Sequence, residues 1–239
     1  METFNEVYTE KYKGCLITIY QDTDYDQSPD AWEDDNLFLV AYHPDFTIKR
    51  DEIITKDEAR AIITGEIDDT TGYYTHNIKE LKRKYHFFGL EAYIHSGVNL
   101  SLSYEGNYPD RRWDVSQLGL VLVSKSKAKS REKARKLARG LIETWNDCLS
   151  GNVYGFITTD EEAGKDIDSC WGFIGDYDKT DILNEARGSI DNYIKNERKE
   201  SRQKKIDFSR LSLGELLSSN DETIKRNAIS ILKTLQRNA

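Results

Sequence analysis

The chain has 239 residues, of which 38% are hydrophobic and 32% charged. That length buries a core without disulfide or metal staples, and the composition describes a globular protein with a modest core and a highly charged surface. An aromatic share of 11% argues against disorder over most of the length. Net charge is −8 but uneven: residues 1–114 carry 23 acids against 12 bases, and 115–239 carry 19 against 22. An acidic half repels phosphates, which disfavours direct nucleic-acid binding and favours a basic protein surface as partner.

In chain order, 15–20 reads as a strand rich in β-branched residues, followed by an acidic loop over 21–36. A second strand is predicted at 37–43. Helical spacing appears at 56–64, with Asp51 or Thr55 as cap and Gly65 as stop. A short basic helix is predicted over 76–84. Strands follow at 86–94 and 98–104, joined by the hairpin signal Ser96-Gly97, and then at 117–124. Over 127–149, Leu137, Leu141, Ile142, Trp145 and Leu149 form one apolar helix face. Paired strands are predicted at 153–159 and 167–174, then a helix at 179–198. The basic stretch 195–205 reads as a solvated linker or helix end. Two short helices close the chain.

This pattern predicts an α+β fold: a mixed, largely antiparallel sheet with flanking helices and a C-terminal helix pair. The domain division expected is a core over 1–200 and an appended helical hairpin over 207–239. No apolar run approaches the ~18 residues of a membrane helix. The first residues also lack the basic start and apolar stretch of a signal peptide. A cytoplasmic protein without membrane contact is expected. Three distant cysteines, Cys15, Cys148 and Cys170, fit buried thiols in a reducing compartment.

The motifs are weighed by chemistry. Asp22, Asp24, Asp26, Asp30 and Glu33 have calcium-loop offsets, but Gln27 replaces the turn glycine and Pro29 disturbs the loop. With Asp34 and Asp35 they read instead as a solvated acidic surface. None of His43, His76, His86 and His95 is spaced with another His or a Cys as metal ligands are, and no metal or other cofactor is expected. His43 and His95 both close strands and are candidates to meet in space. The phosphate-binding glycine motifs and the GxSxG and HExxH signatures are absent from the sequence. The reading therefore leans away from an enzyme. Trp113, Asp114, Gln117, Asp168 and Trp171 lie in two segments dense in Trp, Asp and Gly. With His95 they form a candidate pocket in which tryptophans stack on a planar ligand and carboxylates hydrogen-bond it.

These segments resemble a family of proteins encoded by tailed phages, prophages and conjugative elements. The resemblance rests on Asp22 through Pro29, Trp32 and Asp35-Asn36-Leu37, on His43, and on His95-Ser96-Gly97. It continues through Trp113 to Gly119, Val123-Ser124-Lys125, Gly151 to Phe156 and Asp168 to Asp176. Ala31 stands where the family tends to have Arg. The resemblance implies a mobile-element origin and a role in a host cytoplasm. It supplies no catalytic residue.

Three functions are expected from these readings. The first is an accessory protein that binds and inhibits a host defence factor, a restriction or CRISPR effector, through its acidic half. The second is a nucleotide-like ligand-binding protein or hydrolase using the Trp/Asp/His pocket. The third is a regulator of phage replication that docks by its C-terminal helices.

Overall fold

The computed structural model describes residues 5–23, 29, 36–44, 46–66, 74, 76, 78–95, 97–109, 111–210, 213–218 and 220–237. The elements begin with β1 (Asn5–Tyr12), β2 (Cys15–Gln21), β3 (Leu37–His43), β4 (Phe46–Ile48), α1 (Lys56–Thr64) and α2 (Ile78–Lys84). They continue with β5 (Tyr85–Ile94), β6 (Val98–Leu102), α3 (Arg111–Asp114), β7 (Val115–Ser124) and α4 (Arg131–Leu149). The last are β8 (Val153–Asp160), β9 (Lys165–Ile174), α5 (Ile182–Arg210), α6 (Leu213–Ser218) and α7 (Glu222–Arg237).

The fold is α+β, and its strands divide into two antiparallel sheets. One has the order β4-β3-β7-β5-β6, the other β1-β2-β8-β9. In the five-stranded sheet, consecutive apolar residues of β3 and β7 point to opposite faces and both faces are covered. Leu39, Val121 and Leu90 pack with Ala134, Ala138 and Trp145 of α4 on one side. Phe38, Val40 and Leu122 pack with Ala59 and Leu81 of α1 and α2 on the other. β7 must lie close to β3: a Cβ on Gly119 would stand 2.1 Å from the Val40 carbonyl oxygen.

The four-stranded sheet buries Ile17, Ile19 and Phe156 under Ile182, Ala186 and Ile190 of α5. Its β1–β2 hairpin turns at Lys13 and Gly14, both at positive φ (53° and 87°), the geometry of a tight two-residue turn. Glu10 of β1 accepts hydrogen bonds from Arg187 of α5 at 3.0 and 2.7 Å, which fastens the edge strand to the helix.

Local signals placed most elements. Thr55 caps α1 in a reciprocal box with Glu58, and Gly65 ends that helix at φ 75°. β1, β4 and α3 are additions to the sequence reading. The helix expected to end near 198 runs on to Arg210, across the 200–207 stretch assigned to a boundary. Lys, Arg, Glu and Gln are strong helix formers, so loss of the apolar face past Ile194 does not end it. α6 and α7 pack on each other.

Candidate functional site

β5 and β7 pair from Tyr85↔Ser124 at one end to Tyr93↔Val115 at the other. The alternate residues Phe88, Leu90 and Ala92 of β5 face α4. Glu91 and Tyr93 therefore lie on the opposite face. There the chain between β6 and α3 crosses them.

Glu91 is buried, at 4% exposure. Its carboxylate accepts hydrogen bonds from the Arg111 guanidinium at 2.6 and 2.5 Å and from Ser101 Oγ at 3.1 Å. Arg111 also donates to the Gly106 carbonyl at 2.9 Å. One ion pair, on a buried carboxylate, thus fixes both the connecting segment and the start of α3. Tyr108 stacks on Tyr93 (5.4 Å, 12°), and Tyr93 stacks on His95 (6.1 Å, 8°). The Tyr108 hydroxyl donates to Asn99 on β6, and burial raises its pKa above the usual tyrosine value.

Two rings on this base face water. Tyr104, at φ 67°, is 88% exposed and Trp113 is 80% exposed. The Arg111 guanidinium lies 5.3 Å from the Tyr104 ring centre, and that of Arg112 lies 5.7 Å from Trp113. The result is an exposed aromatic–arginine corner, built on a three-ring stack and a buried carboxylate.

The structure brings His95, Trp113, Asp114 and Gln117 to this end of β5 and β7. Gln117 is engaged internally: its amide nitrogen donates to the Leu90 carbonyl at 2.7 Å and its oxygen accepts from Ser103 Oγ at 3.0 Å. It also borders a cavity of about 280 Å³ with Tyr42, Lys56, Arg60 and Ile63. Asp168 and Trp171 are not brought to the corner by strand pairing; they belong to β9 of the other sheet. There Trp171 stacks on Tyr20 (6.3 Å, 25°) and lies against Gly155, while Asp168 accepts from the Ser169 N–H at 2.9 Å. Three residues apart on a strand, Asp168 and Trp171 point to opposite faces. His43 ends β3 and His95 follows β5, with β7 between those strands.

Of the acidic surface, Asp22 lies among the described residues, and its N–H donates to the Val153 carbonyl at 2.8 Å. Asp24, Asp26, Asp30, Glu33, Asp34 and Asp35, like Ser96 of the hairpin signal, fall outside them. Among the described residues, no cluster of three His, Cys, Asp or Glu side chains is placed to hold a metal ion. Cys15 is buried and Cys148 and Cys170 are half-buried; burial, helped by Asp147, pushes the Cys148 thiol up to about 11, which keeps it an unreactive thiol. No described helix is long and apolar enough to cross a membrane.

Sequence reasoning missed Glu91, Tyr93, Tyr104, Tyr108 and Arg111. The available signal was the density of Tyr, Arg and Trp over 104–113, next to a lone Glu inside an apolar strand. No protein-family model matches the chain, and neither does any curated protein or solved structure.

Proposed function

We propose that this is a mobile-element accessory protein that binds and inhibits a host defence factor, a restriction or CRISPR effector, with the Tyr104–Trp113 corner as its main contact. The observation that carries the reading is the exposure of two large aromatic rings on a fixed base. Leaving such a side chain in water forgoes about 1.5–3 kcal/mol of burial. A partner that covers it recovers that energy. Trp, Tyr and Arg are the residue types that dominate binding energy at protein interfaces. The Glu91–Arg111 pair and the ring stack hold the corner in place before binding, which lowers the ordering cost. The corner offers stacking faces and guanidinium edges, the chemistry of recognition.

The choice of partner rests on two further supports. One is the resemblance to mobile-element proteins. The other is the acidic first half, with 23 acids against 12 bases, which is drawn at long range to the basic groove of a nucleic-acid-binding effector. The test is a pull-down with the tagged full chain from lysate of a host expressing such effectors, at low and high salt. A defence effector is expected in stoichiometric amount on the native chain and lost from the Tyr104→Ala/Trp113→Ala variant. Recovery of the same effector on both chains would refute the corner as the contact. Recovery of no effector would refute the reading.

A further inference from the structure

Helix α5 outruns the sheet it covers. Ile182, Ala186, Ile190 and Ile194 pack it on the four-stranded sheet. Past Ile194 the helix continues to Arg210, and every residue from Lys195 to Lys204 is exposed. Charge is sorted around this free stretch. At 3.6 residues per turn, Lys195, Arg198, Lys199 and Arg202 fall within an arc of about 100°, and Glu197 and Glu200 fall on the opposite side. The same four cations line one groove of about 560 Å³, together with Ile194 and with Lys13 of the β1–β2 turn. Asp191 also borders the groove, but its carboxylate is engaged: it accepts from Lys13 Nζ at 2.6 Å and from the Tyr12 hydroxyl at 3.4 Å.

None of the four cations has an ion-pair partner among the described residues. The acidic segment after β2 leaves from Asp22, about 20 Å along that strand from the Lys13 turn, and Asn5 pairs with Gln21 at the same far end. Lys195 with Lys199, and Arg198 with Arg202, are like charges at i,i+4, an arrangement that destabilises a helix. No burial offsets that cost, since all four residues are exposed. Four cations over about 10 Å of helix axis call for a partner of matching negative density. A nucleic-acid duplex carries one charge per ~1.7 Å of axis, about six over that length. An extended chain made only of Asp and Glu carries about three. The stretch 195–204 holds no apolar side chain to insert into a lipid surface.

We infer that the cationic face of α5 past Ile194 is a docking surface for the phosphate backbone of a nucleic-acid duplex. The inference does not rest on the identity of the protein partner. It gives a role to the basic stretch 195–205, which reads from sequence as a solvated linker or helix end. It runs against the expectation drawn from net charge, which averages over faces that the fold keeps apart.

The experiment is fluorescence anisotropy with the full chain and labelled duplexes of about 25 base pairs, one DNA and one RNA, from ~50 to ~200 mM salt. Four phosphate contacts predict a log–log salt slope of about −3.6 for DNA, a loss of roughly 150-fold across that range. Lys199→Gln/Arg202→Gln should weaken binding by at least ~10-fold and flatten the slope by about two. Lys195→Gln/Arg198→Gln should do the same. Gln forms helix well and these positions touch no core, so both variants keep α5. Lys133→Gln/Lys136→Gln, the same charge change on exposed positions of α4, should leave affinity within ~2-fold and the slope unchanged. Equal affinity for both duplexes assigns recognition to the phosphate chain, and preference for one identifies its source. Four results would overturn the inference: no binding at low salt, equal loss in the α4 variant, no loss in either α5 variant, or displacement by polyglutamate at matched charge.

Discussion

The two sheets share antiparallel pairing but differ in how they are covered. The five-stranded sheet has apolar clusters on both faces; the four-stranded sheet has one, under α5, among the described residues. The difference shows in the strands. β7 buries seven consecutive residues, Leu118 to Ser124, whereas β9 keeps Asp166, Asp168 and Ser169 partly or fully in water. A sheet packed on both sides tolerates little movement, and it is this sheet that carries the aromatic corner at one end of β5 and β7. The four-stranded sheet reads as the more yielding partner.

That contrast is easiest to break with two glycines. An alanine at Gly119 puts its Cβ against the Val40 backbone carbonyl in the doubly covered sheet. At Gly155 it meets the Trp171 ring, a half-exposed side chain, at 2.2 Å. Gly119→Ala should cost about 3 kcal/mol or more and Gly155→Ala about 1–2 kcal/mol in denaturant unfolding. A larger cost at Gly155 would reverse the ranking of the two sheets.

The next effect concerns the corner. Arg111→Ala leaves Glu91 buried without its cation and should cost about 2–3 kcal/mol, moderated because Arg111 is itself 35% exposed. Arg111→Ala/Glu91→Ala should recover part of that loss, and thermal melts of the two variants check it. Additive losses would show that the pair does not hold the corner.

The smallest effect sharpens the comparison through acid. Burial pushes the Glu58 carboxyl up, but hydrogen bonds from the Thr55 and His76 N–H groups and the His76 ring outweigh it and hold the carboxyl below its usual value. On the four-stranded side, hydrogen bonds from Arg187 hold Glu10 low against the opposing effect of its burial. A carboxyl whose folded pKa is lowered stabilises the fold above the unfolded value, 4.5, and loses that contribution as pH falls through the folded value. Stability should therefore decline below about pH 4.5. Glu58→Gln should flatten that acid limb more than Glu10→Gln, because Glu58 is fully buried and Glu10 is partly in water. Stability curves of the three chains from neutral to acid pH check the order.

Much of the fold was legible because its signals are local. The Thr55 cap, the Gly65 stop and the apolar runs of β3 and β7 each declare an element within a few residues. β1 escaped because its inward positions include Tyr8, Glu10 and Tyr12 rather than a run of aliphatic residues; Glu10 and Tyr12 bond to Arg187 and Asp191 of α5, and the Tyr8 hydroxyl donates to Glu10. The split into two sheets was not legible because it depends on β2 pairing with β8, far along the chain. The candidate site was read in part. His95, Trp113, Asp114 and Gln117 do gather, since β5 and β7 are neighbours, while Asp168 and Trp171 were joined to them on composition alone. Glu91 and Arg111 each stand out in the sequence, but their pairing has no local signature, because only the fold brings the two residues together.

The most direct test of the central claim is plasmid establishment in a host whose restriction or CRISPR system targets that plasmid. The native chain should restore establishment, and the folded Tyr104→Ala/Trp113→Ala variant should not. Failure of the native chain to protect against either system, or full protection by the variant, would contradict the account.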